Sequence, residues 1–164
     1  MIVVCDTSVV LNLCCIRRQE LLLRLFQQVA ALPEVTEEFR RLASRDPKFK
    51  CLEFPAWIEV RETGGVIPRE AALLDPGERA AITLALSVSA DAVLIDERLG
   101  QRVAAGFGLR TIGVLGILIE ARRRALILAM GSELDALREQ AGFWMSDELR
   151  DRAIRLGENP SFRK

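Results

Sequence analysis

Histidine is absent from this 164-residue chain. That removes Ser-His-Asp and Cys-His catalysis, histidine-ligated zinc and any imidazole base. Chemistry must come from carboxylates, hydroxyls, arginines and bound ions. Lysine is nearly missing too, at Lys48, Lys50 and Lys164 only. The cationic charge is therefore almost all arginine, which suits bidentate phosphate contacts but is equally at home on a solvated helix. Neither sign of charge is in excess, since 23 basic residues balance 23 acidic ones. This excludes nucleic-acid binding through bulk charge and leaves only local basic patches. The four cysteines (Cys5, Cys14, Cys15 and Cys51) form no C-x-x-C and no zinc pattern, and read as buried, reduced thiols of a cytosolic protein. No apolar run reaches the roughly 18 residues of a membrane span. The amino terminus has no basic n-region, and Asp6 interrupts its apolar run too early for a signal peptide. The expectation is a cytoplasmic protein without a membrane segment.

Half of the residues are hydrophobic and 28% are charged, an ordinary globular composition. The length suits one domain, placed over residues 1–157, with a flexible tail over 158–164. Along it, short apolar runs alternate with helical patterns. Strands are expected at Ile2 to Cys5, Ala30 to Leu32, Trp57 to Val60, Ala92 to Ile95 and Arg110 to Val114. Between the first two, Leu21, Leu22, Leu25, Phe26 and Val29 recur at helical spacing. Further helices are expected over Glu34 to Ala43, Arg79 to Ser87, the stretch following strand four through Ala105, Leu115 to Arg124, Ser132 to Gln140 and Ser146 to Leu156. Residues 44–65, with Pro47, Pro55 and Gly64-Gly65, are irregular. The alternation argues for an α/β fold with a doubly wound parallel sheet of about five strands.

Two strands end on acids. Met1 to Cys5 leads into Asp6, and Ala92 to Ile95 leads into Asp96-Glu97. In open α/β sheets, ligands bind at the carboxyl edge of the strands. The alternative is that each acid merely caps the next helix. Glu38 lies at the edge of the face carrying Val35, Phe39 and Leu42, whereas Glu37 points to solvent. An inward carboxylate needs a partner, either a metal ion or a nearby arginine. Glu78 shares a face with Ala81, Ile82 and Ala85. It also stands three residues after Asp75, so a capping box explains it as readily as a metal does. Glu97 has three readings: a second ion, an outer-shell water, or solvent. Ser8 is placed to support a carboxylate or to cap the first helix.

Asp6, Glu38, Glu78 and Asp96 together describe an all-oxygen site for Mg²⁺ or Mn²⁺. Such an ion suits phosphodiester hydrolysis. Arg40, Arg41 and Arg45 follow Glu38, and Arg98 and Arg102 follow Asp96; each is a phosphate contact or a solvated helix face. Arg122 to Arg124 sit at a helix end, where cations favour the dipole. An aspartyl phosphatase would want an acid at Ser8, and a receiver domain a lysine after strand five.

The ordered motifs Val3-Val4-Cys5-Asp6-Thr7-Ser8, Pro33 to Glu38, Asp75-Pro76-Gly77-Glu78 through Ala85, Leu94 to Arg98 and Thr111 to Gly116 resemble the PIN-domain ribonucleases. The closer resemblance is to the branch serving as toxins in prokaryotic toxin–antitoxin pairs. The resemblance implies a PIN-like α/β/α sandwich and cleavage of single-stranded RNA with Mg²⁺ or Mn²⁺. It implies frequent homodimers and an inhibitory antitoxin partner. Asp6, Glu38, Glu78 and Asp96 fall on the family's acidic metal-site positions. Glu97 stands where the family often has aspartate, which leaves its place as a fifth ligand open. A non-catalytic module binding RNA or protein is the alternative function.

Overall fold

The central strands of the sheet are built from segments apolar enough to be buried on both faces, and the two edge strands are more open. A computed structural model of the chain describes residues 1–62 and 69–159. The strands are β1 (Ile2–Cys5), β2 (Gln28–Ala31), β3 (Glu59–Val60), β4 (Ala92–Leu94) and β5 (Thr111–Ile112). They form one parallel sheet in the order β3-β2-β1-β4-β5. Val3 lies opposite Val29 on one side and Ala92 on the other. The chain first winds outward from β1 to β3, then returns to the far side of β1 at β4. The winding direction therefore reverses between β1 and β4, and a crevice opens there at the carboxyl edge.

Alternate residues of β1, β2 and β4 feed different cores. Val3, Cys5, Val29, Ala31, Ala92 and Leu94 belong to one cluster, together with α1 (Thr7–Cys15), α2 (Glu20–Leu25) and α3 (Pro33–Arg45). Val4, Ala30, Val93 and Ile95 belong to the other, with α4 (Pro76–Ser87) and α5 (Arg98–Gly106). The first cluster is completed by α6 (Val114–Arg123), α7 (Met130–Ala136) and α8 (Asp147–Glu158). Helices thus cover both faces, as an α/β/α sandwich requires.

Several expected boundaries move. The single helical pattern before β2 is two helices, broken at Arg17, whose φ is 56°. The Arg17 and Arg18 amides donate to the Cys14 and Leu13 carbonyls at 3.1 and 2.8 Å, which closes α1 in a Schellman motif. That role usually falls to glycine, so an arginine there leaves no sequence signal. Phe26 is the cap of α2 and Val29 is in β2, so the second strand starts two residues earlier than its expected place. Gly157 and Glu158 lie in α8, and Glu158 accepts from Arg122 at 3.1 and 2.7 Å. The tail expected at this point therefore begins with helix, and its residues 160–164 lie outside the described residues, as do Gly64-Gly65. Cys5 and Cys14 are buried as expected, but Cys15 is half-buried and Cys51 exposed. No helix among the described residues is long and apolar enough to cross a membrane.

Candidate active site

Asp6 follows β1 directly, and its backbone N–H extends the ladder to the Leu94 carbonyl of β4 at 3.0 Å. Its side chain performs the capping role that sequence offered as the alternative. Oδ1 accepts from the Val9 amide at 3.0 Å, and Oδ2 accepts from Ser8 Oγ at 2.8 Å. Asp6 is only 2% exposed and also faces the crevice between β1 and β4. Capping and membership of the site are therefore compatible. Burial pushes its carboxyl up to about 8, assisted by the charges of Asp96 and Glu78; the Val9 amide and Ser8 hydroxyl only partly oppose this.

Asp96 stands just past β4, across the crevice. Oδ1 accepts from the Val114 amide, the first of α6, at 2.8 Å, and Oδ2 lies 3.5 Å from Asn12 Nδ2. A carboxylate at a helix amino terminus is a favourable arrangement. Burial nonetheless raises its carboxyl to about 6, against the Val114 and Asn12 bonds.

Glu38 comes from α3. Its Oε2 accepts from Thr7 Oγ1 at 2.7 Å, and Arg41 Nη2 lies 3.5 Å from Oε1. The expected arginine partner exists, but it is long and more than half exposed, so it neutralises little. Glu37 is exposed, as its helical phase requires.

Glu78, in the first turn of α4, is 7% exposed, and its Oε1 is buried without a hydrogen-bond partner among the described residues. The capping box is only half realised. The Asp75 side chain makes no capping bond, although the Asp75 amide favours the ionised Glu78. Burial raises the Glu78 carboxyl, and the charges of Asp75, Glu97 and Glu38 raise it further. Glu97 is exposed and caps nothing, yet it lines the same crevice.

All five acids, with Ser8, line one cavity of about 490 Å³. A larger cleft of about 690 Å³, beside Cys14, Cys15 and Lys48, contains none of them. Volume favours that cleft, but the chemistry is in the smaller one. Three glycines make room for these side chains. A Cβ on Gly100 would stand 2.7 Å from Glu78 Oε1, and one on Gly113 would stand 2.6 Å from Asp96 Oδ1. A Cβ on Gly77 would collide with Glu38 Oε2.

Four separate elements thus bring carboxylates to the switch point of a parallel sheet. A family model described as a PIN domain matches residues 2–159. The chain belongs to the PIN-domain family. No curated protein and no solved structure shows significant similarity to it. PIN domains have a nuclease-type fold and typically use divalent metals.

The donor chemistry of this PIN domain fits a hard divalent ion. Every candidate ligand is oxygen, two acids have strongly raised carboxyls, and Glu78 Oε1 is left unpaired among the described residues. In the described residues no group of three or more acidic or thiol side chains is yet arranged to hold a metal. Asp6, Glu38 and Asp96 are instead turned onto amide and hydroxyl donors. No arginine or lysine among the described residues lines the crevice, so Arg40, Arg45, Arg98 and Arg102 are exposed helix-face residues. Sequence reasoning missed Thr7, which holds Glu38, and Asn12, which reaches Asp96. It also missed Phe143 and Trp144, which arrive from far along the chain.

Proposed function

We propose that this PIN domain is a Mg²⁺- or Mn²⁺-dependent endoribonuclease acting on single-stranded RNA. The observation carrying this reading is the convergence of Asp6, Glu38, Glu78 and Asp96 on one crevice without a basic residue among the described lining. Such a cluster is costly to ionise unless a cation joins it. Asp6, Glu38 and Asp96 would hold the ion, with Glu97 at the rim as a further ligand. A bound divalent ion supplies positive charge against the phosphodiester and makes a water more acidic. Glu78 either joins the ligands or orients that water through its unpaired Oε1, whose raised carboxyl suits it to take a proton. Ser8 steadies Asp6, Asn12 steadies Asp96 and Thr7 steadies Glu38. A water that gives its proton to Glu78 would attack phosphorus in line; its oxygen forms the new bond to phosphorus as the bond to the 3′-oxygen breaks, and that oxygen takes a proton from solvent to leave as a hydroxyl. The other product carries a 5′-phosphate.

Purified protein is expected to cleave single-stranded RNA with Mn²⁺ or Mg²⁺, and Asp6→Asn or Asp96→Asn to abolish this. Cleavage persisting in both variants defeats the assignment. The resemblance to toxins extends the proposal to a cytoplasmic homodimer held in check by an antitoxin protein. Growth arrest on expression, relieved by the product of a neighbouring gene, tests that extension.

A second reading, a non-catalytic module binding RNA or protein, is favoured by the exposed Glu97 and by side chains not yet arranged as a metal site. RNA binding without cleavage at any divalent ion concentration would select it.

A further inference from the structure

Trp144 is 84% exposed and lines the same crevice as the carboxylates. A tryptophan has a large apolar surface, and leaving most of it in water calls for a reason when the ring stands beside a reaction site. The segment that carries it is pinned at both ends. After α7 the chain continues as a π-helical stretch, Leu137–Ala141, and turns at Gly142 with φ at 69°. The Phe143 amide donates to the Leu137 carbonyl at 3.0 Å. On the other side Met145 is buried and Ser146 caps α8 through the Leu149 amide at 3.2 Å. Arg138 Nη2 reaches the Met145 carbonyl at 3.4 Å. The backbone around Trp144 is therefore fixed while the ring is open. Interruptions of this π type are frequent at functional sites.

The ring also stands apart from other exposed apolar groups. Leu23, Val60, Leu73, Leu99, Leu128 and Leu149 are exposed, and none of them lines this crevice. A protein partner is read by a contiguous exposed apolar patch; the apolar neighbours of Trp144 in the crevice, Leu11, Leu42 and Phe143, are half-buried, and one open aromatic face beside a phosphodiester site suits one flat ring. We infer that Trp144 is a stacking platform for one unpaired nucleobase of the substrate, next to the scissile phosphate. This rests on the proposed nuclease reading and deepens it. Trp144 makes the site prefer single strands, because a duplex keeps its base faces covered by neighbouring bases.

The test uses the full chain with Trp57→Phe, so that Trp144 is the sole tryptophan. A twelve-nucleotide single-stranded RNA is titrated in Mg²⁺ with Asp96→Asn blocking cleavage, and the same RNA is titrated again as a duplex. Quenching of Trp144 by the single strand, and little by the duplex, is expected. In the otherwise native chain, Trp144→Ala should raise KM for single-stranded RNA about 5- to 150-fold, the range of one lost stack. Its kcat should change less than about threefold, and Trp144→Phe should recover most of the KM. Because the side chain is largely exposed, Trp144→Ala should fold normally. Native protein that cleaves RNA, with KM unmoved in Trp144→Ala and no quenching, overturns the inference and leaves the nuclease reading standing. Quenching without cleavage by the native chain supports stacking and defeats the nuclease. Trp144 fluorescence that responds only to a protein partner would also overturn it.

Discussion

Replacing Asp6 by asparagine should make the metal-free protein more stable, and the gain should grow with pH. Asparagine is isosteric and caps helices as well as aspartate does, so the bond from the Val9 amide survives. The Ser8 hydroxyl can rotate to accept from the new amide. What disappears is a carboxylate whose carboxyl burial holds near 8 in the fold, against a usual 3.8. Between these values the folded state binds more protons than the unfolded one, so raising the pH costs the native state stability throughout that window. The cost levels off above about pH 8. Each pH unit is worth about 1.4 kcal/mol, so from about pH 5 to pH 8 the variant should gain at most about 4 kcal/mol on the native protein. Asp96, raised to about 6, adds a smaller loss in the native protein over the lower part of that range. Urea unfolding in EDTA at pH 5.5 and 8.5 reads both. With Mn²⁺ at a hundredfold excess over Kd the difference should narrow, because the native protein gains about 2.7 kcal/mol and the variant gains little. If Asp6→Asn is the less stable protein in EDTA at pH 8.5, Asp6 is a satisfied structural cap and the reasoning fails.

The glycines give a second test. Gly113→Ala places a methyl group against Asp96 Oδ1, so it should lower kcat and weaken Mn²⁺ binding more than it lowers the unfolding midpoint, compared by kinetics and calorimetry. Ala125, at φ 55°, closes α6 with its amide and that of Leu126 bonded to the Arg122 and Ala121 carbonyls. Ala125→Gly should stabilise by about 1 kcal/mol, the left-handed strain less glycine's entropy cost, as read by urea unfolding. Arg18 holds the 6% exposed Glu133 through bonds of 3.0 and 2.9 Å. Arg18→Ala strands that acid and should cost about 2 kcal/mol, less than a fully buried pair because Arg18 is itself 40% exposed; a loss below about 0.5 kcal/mol would show that water reaches Glu133.

The sheet and the acids at its edge were legible for one reason. Strands buried on both faces are continuous apolar runs, and Asp6 and Asp96 break those runs where the strands end. Glu38 was legible through helical phase, since its neighbour Glu37 is exposed and it is not. The break between α1 and α2 was illegible because Arg17 adopts a conformation that sequence rules assign to glycine. The capping box is half realised, through the Asp75 amide and without the Asp75 side chain. The spacing of Asp75 and Glu78 permits it, but Glu78 turns toward the crevice and its Oε1 is left unpaired among the described residues. Thr7 and Asn12 escaped notice because a neutral hydroxyl or amide on a helix carries no burial penalty large enough to flag it. Trp144 was out of reach for a topological reason. Its approach depends on α7 and α8 packing beside α6, and no local pattern records that. Gly142 and the paired aromatics after it were the available signal.

Whether these acids gather a divalent ion is decided by Mn²⁺ titration in a calorimeter at about pH 8. Saturable binding is expected in the native chain and should be lost in Asp6→Asn and in Asp96→Asn, with both variants still folded by circular dichroism. No binding at millimolar Mn²⁺, or binding that both variants retain, would contradict it.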